Sequence, residues 1–173
     1  IKNQTAVITG SSGEVGSAIA LALADNGCKC VCHYHNNKDR ADQTVEKIKS
    51  QGGEAITVRA DLTEESEIAA LFESAKKLAT PRILINSAAI FKRAQIAEVN
   101  FENARQTLDA NLIAPILMSK VFAELLKDIE PQDNMPVAKI VNLADIGGIR
   151  PWANYAMYCA SKAGLIAATK SLA

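Results

Sequence analysis

The chain has no excess of either charge. Lys and Arg number 19, Asp and Glu number 19, and the formal net charge is +0 at pH 7. A balanced chain projects no field that gathers nucleic acid or anionic lipid, so neither is an expected partner. No apolar run approaches the ~20 residues of a membrane span, and the first residues lack the pattern of a secretory leader. Repeats, low-complexity tracts and linker-like stretches are also missing. The 173 residues therefore read as one domain, 1–173, with a real core, and 49% hydrophobic and 22% charged residues agree with a globular chain.

The cysteines lack the convergent spacing of a metal site. Of the four, Cys28, Cys30 and Cys32 alternate along a predicted strand and share one of its faces, where neighbouring side chains diverge rather than converge. Cys159 stands alone. Free buried thiols in a reduced, cytoplasmic protein are expected, with no metal ligands.

What the chain does contain is an organising stretch, Thr9-Gly10-Ser11-Ser12-Gly13-Glu14-Val15-Gly16. It follows the apolar run Ala6-Val7-Ile8 and opens an amphipathic one. Strand, glycine turn and helix is the arrangement that binds a dinucleotide pyrophosphate. Glycines admit the phosphates close to the backbone, and the helix N-terminus offers free N–H donors.

The periodicity downstream alternates strand and helix. A helix over about 14–26 carries Val15, Ala18, Ile19, Ala22 and Leu23 on one stripe, and Gly27 stops it. A strand over 29–35 ends in the Asn36-Asn37 turn, and a helix with Ala41, Val45 and Ile48 on one face ends at Gly52-Gly53. A third strand spans 55–59. Asp61-Leu62-Thr63 then leads to a helix with the stripe Ile68, Leu71, Phe72, Ala75 and Leu78. A fourth strand covers 83–86, followed by a loop over 87–100 and a long helix over about 101–127, which Pro115 should bend just after Asn111. A polar loop over 130–136 precedes a fifth strand over 139–144, and a last helix begins near Tyr155.

Five alternations predict an α/β, Rossmann-like, doubly wound parallel sheet in the order 3-2-1-4-5, with helices on both faces. Ligands of such sheets bind beyond the carboxyl ends of the strands, at the switch between strands 1 and 4. Gly10, Asp61, Asn86 and Asp145 all follow strand ends on that edge. The segments around them supply the cofactor-binding candidates Gly10, Ser11, Ser12, Glu14, Val15, His35, Asn36, Asn37, Asp61, Leu62, Asn86, Ser87 and Ala88.

Tyr158 and Lys162 lie four apart, which puts both on one face of a helix. An ammonium beside a phenol favours the phenolate and lets the tyrosine exchange a proton nearer neutral pH. With these residues the whole chain resembles the short-chain dehydrogenase/reductase family. The resemblance rests on Thr9 to Gly16, Asp61-Leu62, Asn86-Ser87-Ala88-Ala89, Asn111, and Tyr158 with Lys162. It implies that Tyr158 is the general acid and that Lys162 binds the nicotinamide ribose and lowers the tyrosine pKa. It further implies that Asn111 holds a water relaying protons to Lys162, and that Asp61 meets the adenine.

The family's usual serine lies thirteen residues before the tyrosine, and that position here is Asp145. A serine donates a hydrogen bond to a developing oxyanion, whereas an ionised carboxylate repels one. Asp145 suits a C=N substrate whose nitrogen gains a proton, or it caps a backbone turn. The branch with Asp at this place resembles the pteridine reductases. His33-Tyr34-His35 and Asn86-Ser87-Ala88-Ala89-Ile90-Phe91 look like that branch too, Phe91 matching the aromatic that stacks on a pterin. Phe91 otherwise reads as a core aromatic, and His33 and His35 as strand-edge residues.

The chain also departs from the family. Glu14 stands where a glycine is expected, with Gly13 one place early; pteridine reductases carry basic residues at both positions, which favour the NADP 2′-phosphate. Against that, no Asp or Glu ends strand 2 to grip a free ribose, and Asn36, Asn37, Lys38 and Arg40 suit a phosphate. NADP(H) is expected over NAD(H). The family's two further C-terminal strands are absent, so the domain reads as truncated at the C-terminus. The leading expectation is an NADPH-dependent reductase of a pteridine or dihydrofolate-like ring. A carbonyl reductase, such as a 3-oxoacyl-carrier-protein reductase, and a non-catalytic cofactor-binding protein or inactive fragment are the alternatives. Leu112, Ile116, Phe122, Leu165 and Ile166 are apolar positions suited either to a homo-oligomer (dimer or tetramer) or to the core.

Overall fold

A computed structural model of the chain describes residues 1–130 and 138–173. The strands are β1 (Thr5–Ile8), β2 (Lys29–Tyr34), β3 (Ala55–Arg59), β4 (Pro81–Asn86) and β5 (Lys139–Asn142). Among the described residues they form one parallel sheet in the order β3-β2-β1-β4-β5. The helices are α1 (Glu14–Asp25), α2 (Lys38–Ser50), α3 (Glu65–Lys76), α4 (Phe101–Leu108), α5 (Ala114–Leu126) and α6 (Ala156–Leu172).

Period-two alternation divides β1 between two cores. Val7, with Val31 and Leu84 of its neighbours, faces the α3 and α5 stripe of Ile68, Leu71, Phe72, Met118 and Phe122. Ala6 and Ile8 face the other way, with Cys30, Cys32, Ile83 and Ile85, against Ala20, Val45 and Ile48. The sheet is thus covered on both faces, as its nearly unbroken apolar strands require. The cysteines are free, buried and used as small hydrophobes.

The long helix expected over 101–127 is not continuous. A π-turn over Asp109–Ile113 interrupts it, in which the Ala114 N–H bonds to the Asp109 carbonyl five residues back. Pro115 has no N–H for the Asn111 carbonyl, and its ring crowds that turn; the extra residue widens the helix instead of merely bending it. Smaller corrections occur at element ends. β2 stops before His35 because the chain turns there toward the α2 cap, where the Asn37 side chain accepts the Arg40 N–H. β5 stops at Asn142, where pairing with Asn86 ends, and Tyr155 is the cap of α6 rather than its first residue. The loop over 87–100 contains a single 3-10 turn, Ile96–Glu98. The polar loop expected over 130–136 lies, from 131 on, outside the described residues.

Burial corrects the α1 stripe, since Val15, Ala18 and Ala22 are exposed and Gly16 and Ala20 are the buried residues, and it settles further positions. His33 is 2% exposed, because its ring is inserted between the glycine loop and the end of β3; it is not a strand-edge residue. Phe122 and Leu165 are each 1% exposed within the chain's own core and offer nothing to a second copy. β5 is the outer strand, with Ile140 and Val141 exposed.

Candidate cofactor and proton-transfer site

The glycine loop is held at three points. Thr9 Oγ1 accepts the N–H groups of Ser87 (2.9 Å) and Ala88 (3.0 Å) and donates to the Ile85 carbonyl at 3.3 Å. That hydroxyl locks the end of β4 against the loop. Ser11 Oγ donates to the Ile8 carbonyl at 2.8 Å, and the Ser11 N–H bonds to the His33 carbonyl at 2.8 Å. The Gly10 N–H donates to His33 Nδ1 at 3.1 Å.

Gly10 has φ +69°, and a Cβ there would come within 2.8 Å of the Ala88 Cα. A Cβ at Gly16 would collide with the Gly10 carbonyl. The loop is therefore closed to side chains where a diphosphate must approach the backbone. Ser12, Glu14 and Val15 border this opening; Glu14 and Val15 are exposed, in the first turn of α1, whose N–H groups lack intrahelical acceptors. A Gly13-Glu14 helix start thus leaves the donors free and directs the carboxylate to solvent. This cradle fits a dinucleotide pyrophosphate.

Beside it lies a crevice of about 610 Å³ lined by His33, His35, Asn36, Asp61, Leu62 and Ala88, among others. Asp61 Oδ1 accepts from Thr63 N (3.0 Å) and Thr63 Oγ1 (2.7 Å), which hold its carboxyl below the usual carboxylate range. His35 Nε2 lies 3.5 Å from Asp61 Oδ2 across the crevice mouth. Asn37 is committed to capping α2, and Lys38 pairs with Asp42 one turn on. Among the described residues Arg40 makes no ion pair, and it lines an open groove with Ser12, Glu14 and Lys47.

Asn86 and Asn142, at the ends of β4 and β5, bond through Asn86 Nδ2 and Asn142 Oδ1 at 2.7 Å, and Asn142 Nδ2 donates to Thr169 Oγ1 at 2.9 Å. This chain anchors α6 to the sheet. Asn111 is fully buried at the π-turn. Its Oδ1 accepts the Ile90 N–H (2.7 Å), and its Nδ2 donates to the Ile90 carbonyl (2.9 Å) and to Ser161 Oγ (3.1 Å). The Asn111 side chain is thus spent on positioning the segment before Phe91.

Tyr158 donates its hydroxyl to Asp145 Oδ2 at 2.9 Å, while Asp145 Oδ1 accepts the Gly147 N–H at 2.6 Å. Asp145 thus caps the backbone turn through Oδ1 and takes the Tyr158 hydroxyl through Oδ2. Lys162 is 4% exposed; its Nζ donates to the Leu143 carbonyl at 2.7 Å and lies 5.9 Å from the Tyr158 ring centroid. Burial depresses the lysine, partly offset by Asp145. The expected lowering of the tyrosine pKa is not what this geometry produces. Burial first, and then the hydrogen bond and charge of Asp145, push Tyr158 above its ordinary value and hold it as a neutral phenol.

Phe91 is 60% exposed and is not a core aromatic. It stacks on Tyr155 (4.9 Å, 12°) and meets Tyr158 edge-on (4.7 Å, 72°), with Trp152 stacked on Tyr158 at 6.4 Å and 16°. Sequence reasoning missed Trp152, Tyr155, Asn142 and Ser161. The aromatic pair Trp152 and Tyr155, between Pro151 and Tyr158, was a visible signal, whereas the two polar residues had none. No group of three or more His, Cys, Asp or Glu among the described residues could hold a metal.

The family model described as short chain dehydrogenase matches residues 4–173. A 3-oxoacyl-[acyl-carrier-protein] reductase of Synechocystis sp. is 32% identical over 171 residues, 98% of this chain and 67% of that protein. A 3beta-hydroxysteroid dehydrogenase 1 of Eggerthella lenta is 33% identical over 175 residues, 100% of this chain and 65% of that protein. Among solved structures, a dehydrogenase/reductase from Sinorhizobium meliloti 1021 has a TM-score of 0.90 at 28% identity, covering 100% of this chain and 66% of that one. The chain spans about two thirds of the length of the relatives it matches.

Proposed function

This chain belongs to the short-chain dehydrogenase/reductase family, and from that premise we propose that it is an NADP(H)-preferring reductase of a C=N bond in a pteridine or dihydrofolate-like ring. The observation that carries this reading is the carboxylate of Asp145 at 2.9 Å from the Tyr158 hydroxyl. A nicotinamide dinucleotide held at the β1–β4 edge by the residues below would supply the hydride. The glycine loop and the first turn of α1 would bind the pyrophosphate, and Asp61 and Leu62 would border the adenine. Asn86, Ser87 and Ala88 would form the wall beyond β4, and Lys162 would bind the nicotinamide ribose. Asn111 holds Ile90, and thereby Phe91, at the substrate side.

The chemistry follows from charge. A carboxylate beside the proton donor stabilises a substrate nitrogen that carries a proton and repels a carbonyl oxygen that gains negative charge. Tyr158, neutral and aimed at Asp145, is a store for the proton that the ring nitrogen takes. Phe91 and Trp152 offer flat apolar surface beside that hydroxyl, suited to a planar ring. Arg40, without an ion pair among the described residues, and the lack of an Asp or Glu at the end of β2 support NADP(H); Glu14, exposed, does not obstruct it.

A carbonyl reductase is the second reading, favoured by the Synechocystis relative named as a 3-oxoacyl-[acyl-carrier-protein] reductase. Steady-state assay of dihydrobiopterin, dihydrofolate and a 3-oxoacyl thioester with each dinucleotide separates the two. Turnover of a pterin, abolished in Asp145→Ser, supports the first reading. Turnover of the thioester alone overturns it. Failure to bind NADPH or NADH in a fluorescence titration would leave a non-catalytic protein. We further propose a cytoplasmic homo-oligomer. No described helix is long and apolar enough to cross a membrane, and Phe101 (91% exposed) and Ile113 (45%) leave apolar surface along α4 and the π-turn.

A further inference from the structure

His33 is a buried polar ring at the end of a strand, and both of its nitrogens are used. Nδ1 lies 3.1 Å from the Gly10 nitrogen, and Nε2 lies 3.0 Å from the Ala60 carbonyl oxygen. A backbone N–H only donates and a carbonyl only accepts. Nδ1 is therefore the bare nitrogen and Nε2 carries the hydrogen, so the two partners fix the tautomer. The same residue's carbonyl takes the Ser11 N–H at 2.8 Å. One residue of β2 thus claims two consecutive amides of the glycine loop.

This matters because of what those amides orient. With the Gly10 N–H turned back toward β2, the Gly10 carbonyl receives the Gly13 N–H at 2.9 Å and faces the bare Gly16. The loop's remaining donors, in the first turn of α1, then point outward. At the other end of the ring, Ala60 immediately precedes Asp61 and Leu62 in the crevice wall. The ring spans from the phosphate side of the site to its adenine side.

We propose that His33 is the positioning residue of the cofactor loop, setting the Gly10 peptide through Nδ1 and tying it through Nε2 to the Ala60–Asp61 wall. It touches no reacting atom. Its effect falls on dinucleotide affinity, and equally on NADPH and NADH, since the pyrophosphate is common to both. The inference rests on the cofactor reading given above.

Two substitutions divide the two ends of the ring. In His33→Asn the amide oxygen reaches the place of Nδ1 and keeps the acceptor for Gly10. In His33→Gln the amide reaches the place of Nε2 and keeps Ala60 but not Gly10. Dissociation constants for NADPH and NADH by fluorescence, with thermal melting of each variant, are the measurements. The expected result is a roughly tenfold weakening in His33→Gln for both dinucleotides, the scale of one lost buried hydrogen bond. His33→Asn should stay within about threefold of the wild type, having kept that bond. Equal affinities in all three proteins overturn the proposal. Equal weakening in both variants, in step with equal loss of melting temperature, also overturns it by showing a merely structural ring. If the wild type binds neither dinucleotide, the cofactor reading itself fails. Nitrogen NMR of the His33 ring then still tests the bond, and a protonated Nδ1 at neutral pH would refute it.

Discussion

Tyr158 and Asp145 form one hydrogen-bonded pair, with the phenol as donor and the carboxylate as acceptor at 2.9 Å. The carboxylate is aimed by the Gly147 N–H, which holds its second oxygen at 2.6 Å. The pair stores a proton on oxygen next to a fixed negative charge.

Removing that charge while keeping the shape should move the tyrosine. In Asp145→Asn, phenolate absorbance is expected to appear at lower pH than in the wild type, because the carboxylate's hydrogen bond and charge no longer favour the neutral phenol. On the C=N reading, kcat for a dihydropterin falls about 100-fold in the same variant, the scale of one lost transition-state contact. An unchanged titration of Tyr158 would contradict the geometry.

Tyr158→Phe deletes the donor and little else, since the ring keeps its packing against Phe91 and Trp152. A loss of roughly 10²–10⁴ in kcat is expected, the range for a positioned general acid. NADPH affinity should stay within about threefold, because the hydroxyl spends its hydrogen bond on Asp145. Loss of cofactor binding instead of turnover would reassign the residue.

Burial pushes His33 down from 6.5 to about 4, against the opposing pull of the Ala60 carbonyl, with His35 and Asp61 as the charged groups nearby. The ring is neutral when folded and binds a proton more readily when unfolded. Its contribution to stability is therefore complete above about pH 6.5 and is lost as pH falls toward about 4. The difference amounts to roughly 3 kcal/mol. Denaturant midpoints measured over this window should slope in the wild type and flatten in His33→Asn. Parallel slopes would show that other groups dominate.

Gly16→Ala tests the loop through a contradiction. Inside a helix, alanine is better than glycine by about 1 kcal/mol. Here its Cβ would collide with the Gly10 carbonyl, so the variant should melt lower than the wild type and bind NADPH at least tenfold more weakly, on the scale of an overpacking penalty. A higher melting temperature with intact binding would mean that the loop is looser than it stands.

The layered sheet and its strand order were legible in the sequence because they rest on period and on turn residues. Apolar runs such as Ala6-Val7-Ile8 and Ile83-Leu84-Ile85 repeat with helical stripes between them, and parallel strands joined by right-handed crossovers admit few orders. The same local logic placed Gly10, Asp61, Asn86 and Asp145 on one edge. It also paired Tyr158 with Lys162 four residues apart on one helix. These are statements about neighbours in the chain.

Tertiary structure decided what depends on partners distant in sequence. His33 looked like a strand end and proved to be a strut, because its two partners lie 23 and 27 residues away. Pro115 signalled a disturbed helix, but only packing against Ile90 and Ser161 selected a π-turn with Asn111 at its centre. Lys162 was expected to control the tyrosine. The fold instead gave its ammonium to the Leu143 carbonyl and gave the tyrosine to Asp145, since a buried charge bonds with whatever acceptor the backbone brings within reach. Periodicity carries the fold; the electrostatics of the site emerges only when segments far apart in the chain are brought together.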